Sequence, residues 1–220
     1  MNENWQGWHH IYCDASKHSR DGCVGVGVYH AQYNIVQKNK LPPETSVYTG
    51  ECFGLYKAVE YVLLMKLQKT LIFTDCKSSL ETISKFPFKI KSQIAVVFDI
   101  KNKLYQCHLK GHSIVFVWLP SHSGIKGNET ADRLASDAVE CGDIFPYKNF
   151  PQDLASLAKV FLNDSWREHW ELIFFFNRYN FNVNIYFYLI TYLTFLIFFF
   201  QIITEYLPYK PVSLPLLVFG

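Results

Sequence analysis

Two short apolar runs, residues 10–13 and 70–74, each end directly in an aspartate, Asp14 and Asp75. Runs of this length built from Ile, Tyr, Phe, Leu and Thr read as strands, so two separate strands end in a carboxylate. Glu51 opens a helical pattern in which Cys52, Leu55, Val59, Val62 and Leu63 recur at helical spacing. Asp132 lies early in a further helix. In an α/β sheet these four positions can meet at one edge. Like charges held close repel and raise one another's pKa. A sequence that gathers them calls for a divalent cation, most often Mg²⁺, which favours oxygen ligands.

The elements between the acids follow from spacing and breakers. Over residues 22–30 valine alternates with small residues, the pattern of a strand packed on one face with little bulk on the other. Residues 34–38 read as its hairpin partner, and Leu41-Pro42-Pro43 stops the sheet because proline cannot donate to the ladder. A helix is expected from Thr49 to about Lys66, with Thr49 as N-cap and Glu51 in the first turn, where the helix dipole favours negative charge. A short helix follows over residues 77–85, ended by Phe86-Pro87, and a longer one over 92–110. Residues 113–119 form a strand with Ile114, Phe116 and Trp118 on one face. Asn128 is expected to cap a last helix running to Cys141-Gly142. The order β-β-β-α-β-α-α-β-α implies an α/β fold, a mixed five-stranded sheet with helices on both faces.

Four blocks carry a family likeness: Tyr12-Cys13-Asp14-Ala15-Ser16, Thr49-Gly50-Glu51, Phe73-Thr74-Asp75-Cys76-Lys77-Ser78, and the long stretch from Trp118 to Asp132. Their order and shared strand-then-acid context resemble a type 1 ribonuclease H. Within that group they are most similar to the ribonuclease H domains of insect non-LTR retrotransposons. The likeness covers roughly residues 8–142. It implies the ribonuclease H-like sheet and a metal-dependent endonuclease that hydrolyses the RNA strand of an RNA–DNA hybrid. It further implies two Mg²⁺ ions, with Mn²⁺ able to substitute: Asp14, Glu51 and Asp75 would hold one, Asp14 and Asp132 the other, in a two-metal displacement. His122 takes from the likeness a role in proton movement and product departure. Asn128 matches a position that contacts substrate or orients the loop, and an N-cap role stands beside it. Gly124 and Gly127 would let that loop flex. Ala15 departs from the glycine common in relatives, and its methyl is expected to crowd the substrate.

Selectivity for RNA requires 2′-hydroxyl contacts, for which Ser16, Gly50 and Ser78 are the nearest candidates. Net charge is only +2, which excludes a generally basic coat protein. Local charge differs: Lys77, Lys85, Lys89, Lys91, Lys101, Lys103 and Lys110 face only Glu81 and Asp99 between Cys76 and Lys110. Such a run can follow a phosphate backbone, with Lys89 and Lys91 as the leading contacts, or form a solvated helix face. The remaining histidines, among them His9, His10, His18 and His112, show no ligand spacing and read as surface residues.

The six cysteines show no Cys-x-x-Cys pair, and residues 1–10 lack the basic-then-apolar pattern of a signal peptide. Reduced thiols in the cytoplasm or nucleus are the expectation. Cys13, Cys52 and Cys76 adjoin the acids, but strand neighbours point to opposite faces. Cys13 therefore belongs to the core, which argues against zinc.

Residues 1–143 form the expected domain. Residues 144–172 read as a linker and an amphipathic helix, and 173–220 as an apolar tail. The stretch 185–204 has no charge and is long enough to span ~30 Å of hydrocarbon. Two readings stay open: a transmembrane helix, hence membrane association, or translated AT-rich sequence with no evolved fold. A catalytically idle nucleic-acid-binding module, membrane-anchored or not, is the alternative to the enzyme. No obligate protein partner is implied.

Overall fold

Strand β1 (His9–Ser16) carries Asp14 toward its C-terminal end and sits in the middle of the sheet. It pairs antiparallel with β2 (Val24–His30), which pairs antiparallel with β3 (Ile35–Leu41). On its other side β1 runs parallel to β4 (Lys69–Thr74), and β4 runs parallel to β5 (Ser113–Trp118). The helices are α1 (Val47–Met65), α2 (Lys77–Ser84), α3 (Ala95–Leu109) and α4 (Lys126–Cys141). The computed structural model describes residues 5–19, 22–85 and 95–145, with helical residues at 153–154, 160–161, 163–168 and 171. Two compact units divide the chain, residues 1–157 and 158–220. In the second, Arg167 lies 3.8 Å from Asp164.

The alternation along β1 sorts its side chains between two cores. Ile11 and Cys13 join the larger core with Val26, Phe53, Leu55, Val97 and Ile100, under α1 and α3. Tyr12 faces the other way, with Leu71, Phe73 and Ala131 of α4. The small residues of β2 have a physical cause. A Cβ at Gly25 or Gly27 would run into the backbone of α4 near Ala135 and Ala131. Helix α4 therefore packs directly on the sheet and delivers Asp132 to its edge.

Several expectations need correction. The sheet has six strands, in the order β5-β4-β1-β2-β3-β6, because β6 (Asp143–Ile144) adds parallel to β3 at Asn39 and Lys40. Two residues are too few to show a strand period. Helix α1 begins earlier than expected. Ser46 is its N-cap, accepting the Thr49 N–H at 3.1 Å, which puts Glu51 in the second turn. Ile125 is the residue before α4, and Asn128 lies inside the helix. Gly127 packs its Cα on the Tyr12 ring and so does not serve loop flexing, whereas Gly124 does adopt a left-handed turn (φ +75°). His112 is buried rather than at the surface. The Phe86-Pro87 stop, residues 92–94, Lys89, Lys91 and the stretch 185–204 lie outside the described residues. Among those described, no helix is long and apolar enough to cross a membrane.

Candidate active site

Asp14 and Glu51 are both buried at the end of β1, and Asp75 is half-buried just past β4. One oxygen from each lies within 4.8 Å of the others. A single backbone group ties two of them together. The Ala15 N–H donates to Asp14 Oδ1 at 2.8 Å and to Glu51 Oε1 at 3.3 Å. Asp75 is steadied through its own carbonyl, which accepts from the Trp118 indole N–H at 2.9 Å and the Lys77 N–H at 3.0 Å. The second strand thus receives its support from β5, next in the sheet.

The electrostatics are those of charges gathered against their preference. Burial, then repulsion from Asp75, lifts the Asp14 carboxyl from 3.8 to about 6, despite the Glu51 and Ala15 hydrogen bonds that lower it. Asp132 adds a further upward push. Burial, with Asp14 next, raises Glu51 well above the ordinary carboxylate range. No N–H or O–H donor of the described residues reaches Glu51 Oε2, which is buried. A buried carboxylate oxygen without a donor is costly. Only a proton or a cation held between the acids resolves that arrangement, so the donor set fits a hard divalent cation.

A second cluster borders the first. His122, Glu129 and Asp132 bring ligand-type atoms within 4.8 Å of one another, with His122 Nδ1 3.9 Å from Asp132 Oδ2. His122 is strongly exposed and holds a left-handed backbone (φ 50°), a conformation a non-glycine residue keeps only where its surroundings impose it. The Glu129 carboxylate accepts the Gly124 N–H at 3.3 Å and closes the loop onto α4.

Of the other expected residues, Ser16 ends β1 and Ser78 is exposed in α2, its hydroxyl 3.3 Å from Cys76 Sγ. Gly50 is a packing residue and presents nothing to solvent. A Cβ there would meet Val24 and Ala15 side chains, and its N–H donates to Ser46. The Ala15 methyl is likewise buried and lies against Gly50. Asn128 is buried with Oδ1 lacking a hydrogen-bond partner among the described residues. Burial raises the thiols of Cys13 and Cys52, the latter to about 12, and no cysteine enters either ligand cluster. Two lysines of the basic run serve the fold: Lys101 donates to the Ile83 and Lys85 carbonyls, and Lys103 pairs with Glu60 at 3.1 Å.

Residues 8–140 match the family model described as RNase H. The chain belongs to the RNase H family. It is similar to Ribonuclease H1 of Homo sapiens, of Rattus norvegicus and of Mus musculus, 25% identical to each over 136 residues. Each match covers 58% of this chain and 48% of the relative. The chain therefore spans about half the length of the curated relatives it matches. RNase H family members generally use divalent metals, in keeping with the acid cluster here.

The sequence did not point to Trp118, Glu129 or the Ala15 N–H as supports of the acids. Trp118 lies in the last of the four blocks but acts through an indole N–H from β5, the strand beside β4. Glu129 was hidden by its place in a polar helix start.

Proposed function

We propose that this chain is a metal-dependent endonuclease that hydrolyses the RNA strand of RNA–DNA hybrids by a two-metal mechanism. The observation that carries the reading is the trio of buried Asp14 and Glu51 with half-buried Asp75, mutually repelling and with Glu51 Oε2 left without a donor among the described residues. Asp14, Glu51 and Asp75 would hold one Mg²⁺, and Asp14 with Asp132 the other. Bound there, the ions supply the charge that activates a water and stabilises the leaving 3′-oxygen of an in-line displacement.

The chain's own residues do the rest. The Ala15 N–H keeps the Asp14 and Glu51 oxygens in register, so no side-chain search precedes binding. Trp118 fixes the backbone from which Asp75 projects. His122, on its strained loop beside Asp132, is placed to accept or hand on a proton. Ser16 and Ser78 remain the proposed 2′-hydroxyl contacts, and Lys89 and Lys91 the proposed phosphate contacts. Kinship with the ribonuclease H domains of insect non-LTR retrotransposons is supported by the four sequence blocks.

The test is cleavage of a labelled hybrid by the full chain in Mg²⁺, Mn²⁺ and EDTA. Cutting of the RNA strand alone, lost in EDTA, supports the reading. Cation-independent cutting would overturn the metal-dependent mechanism, and tight hybrid binding with no cutting in either metal would overturn the enzyme in favour of an idle binding module.

A further inference from the structure

Beyond the residues that match the family, the chain returns to the helix that carries Glu51. Asp153 is 2% exposed. Its Oδ1 accepts the Ser46 N–H at 3.1 Å and the Thr49 hydroxyl at 3.0 Å. Ser46 is the N-cap of α1, and Thr49 is the third residue of the helix. In a capping box, a Glu or Gln at that third position reaches back to the N-cap N–H. The Thr49 side chain is too short for this. Asp153, more than a hundred residues later in sequence, supplies the missing acceptor and ties Thr49 in as well. Ser46 Oγ completes the ring by accepting the Thr49 N–H and donating to Thr49 Oγ1 at 2.9 Å.

The same turn is gripped from the other side. Lys17, three residues past Asp14, donates to the Pro43 and Thr45 carbonyls at 2.6 and 3.1 Å. The start of α1 is thus held between the end of β1 and Asp153. Glu51 follows Thr49 by two residues, and its Oε1 must meet the Ala15 N–H. A small slide or tilt of the first turn would carry Glu51 away from Asp14.

We propose that Asp153 is a positioning residue for the metal site: it completes the cap of α1 and thereby sets the Glu51 carboxylate against Asp14. This rests on reading Glu51 as a cation ligand. The working domain then extends past residue 143 to at least Asp153, and a cut at 143 removes part of the site's support.

Asp153→Ala, Asp153→Asn, Thr49→Val and Glu51→Gln in the full chain decide the matter. Each is scored by the Mg²⁺ concentration for half-maximal cleavage, the KM for hybrid, and the Mg²⁺-induced rise in melting temperature. Outer partners of metal ligands are worth 10–100-fold in affinity, so Asp153→Ala, one step further out, should raise the Mg²⁺ requirement roughly three- to tenfold. The Mg²⁺-induced rise should shrink while KM stays put. Asp153→Asn keeps an oxygen acceptor and should stay within about twofold of wild type on the same scale. An Asp153→Ala protein that melts earlier but binds Mg²⁺ as wild type overturns the proposal and leaves a plain helix cap. Should Asp153→Ala not fold, Thr49→Val, which removes one bond of the two, decides by the same criterion. If Glu51→Gln also keeps the wild-type Mg²⁺ response, the metal-site reading itself has failed.

Discussion

The two ends of β1 hold opposite kinds of titratable group in opposite states. At the C-terminal end, Asp14 meets the carboxyl groups of Glu51 and Asp75, with one backbone N–H shared between two of the three. At the N-terminal end, His9 Nδ1 lies 3.2 Å from His30 Nε2, and His30 Nδ1 lies 3.0 Å from the Tyr61 hydroxyl. Two neutral arrangements satisfy that chain: Tyr61 donates to His30 and His30 to His9, or His9 donates to His30 and His30 to Tyr61. The histidine end finds its partners within the protein, whereas the acid end leaves Glu51 Oε2 without a donor among the described residues. A polar cluster that satisfies itself is structural, and one that cannot is set up for something from outside.

The largest effect should come from Asp14→Asn. It removes the charge shared by both proposed cation sites and keeps the side-chain shape, so hybrid cleavage should fall below detection. In EDTA the same protein should melt higher than wild type, because the repulsion within the trio is relieved. Added Mg²⁺ should then raise the melting temperature of wild type only. Cleavage within a few-fold of wild type would break the contrast between the two ends and the two-metal assignment with it.

Acid should act on the ends with opposite signs. Burial, then the neighbouring His9 and His10, lowers His30 from 6.5 to about 4. Between those values the unfolded chain carries a proton there that the folded chain lacks, so stability falls as pH drops. Asp14, raised from 3.8 to about 6, does the reverse in cation-free protein. Between 6 and 3.8 the folded chain holds a proton that the unfolded chain has released, and stability grows as pH drops. Melts in EDTA from pH 7 to 4.5 should show Asp14→Asn losing stability more steeply than wild type, and His30→Gln more gently. Parallel curves for the two variants would show that neither end titrates as described.

How far this contrast could be read from sequence differs between its halves. The acids were legible because each follows a strand or enters a helix within a recognisable block, and the layering of an α/β sheet does the gathering. The histidine chain was not. His9, His30 and Tyr61 have no shared motif, and only the register of β1 on β2, with Ile11 opposite His30, brings them together. The packing of Ala15 on Gly50 was hidden for a related reason, since both lie in blocks that read as substrate contacts. Which face a helix turns to a strand depends on tertiary packing. Lys103 read as a surface charge because its partner Glu60 lies on α1, across a helix interface. The N-cap misplacement is the smallest error in distance, yet it concealed Ser46, the residue through which Asp153 acts.

His122→Ala should slow turnover by ~10² or less, since positioned acid–base help contributes roughly 10²–10⁴ and water can partly replace it. The change belongs in kcat, because the imidazole stands on an exposed loop at the rim of the acid end. The Mg²⁺-induced rise in melting temperature should persist, as the trio of Asp14, Glu51 and Asp75 is untouched. A loss as complete as that of Asp14→Asn, with the metal response gone, would make His122 part of the ligand set.

The smallest expected effect lies at the other end of the strand. Tyr61→Phe removes only the hydroxyl that pairs with His30 Nδ1, leaving a buried nitrogen without its partner. Such a loss costs about 1 kcal/mol or somewhat more, so the melting temperature should drop by several degrees at pH 7. Cleavage and the Mg²⁺ requirement should not move, since the site is at the opposite end of β1 and the ring of Tyr61 keeps its packing. Melting curves and a Mg²⁺ titration on the same preparation measure both. A Tyr61→Phe protein that is fully stable but slow would mean that the two ends are coupled through β1, and that the histidine chain is more than a local fastening.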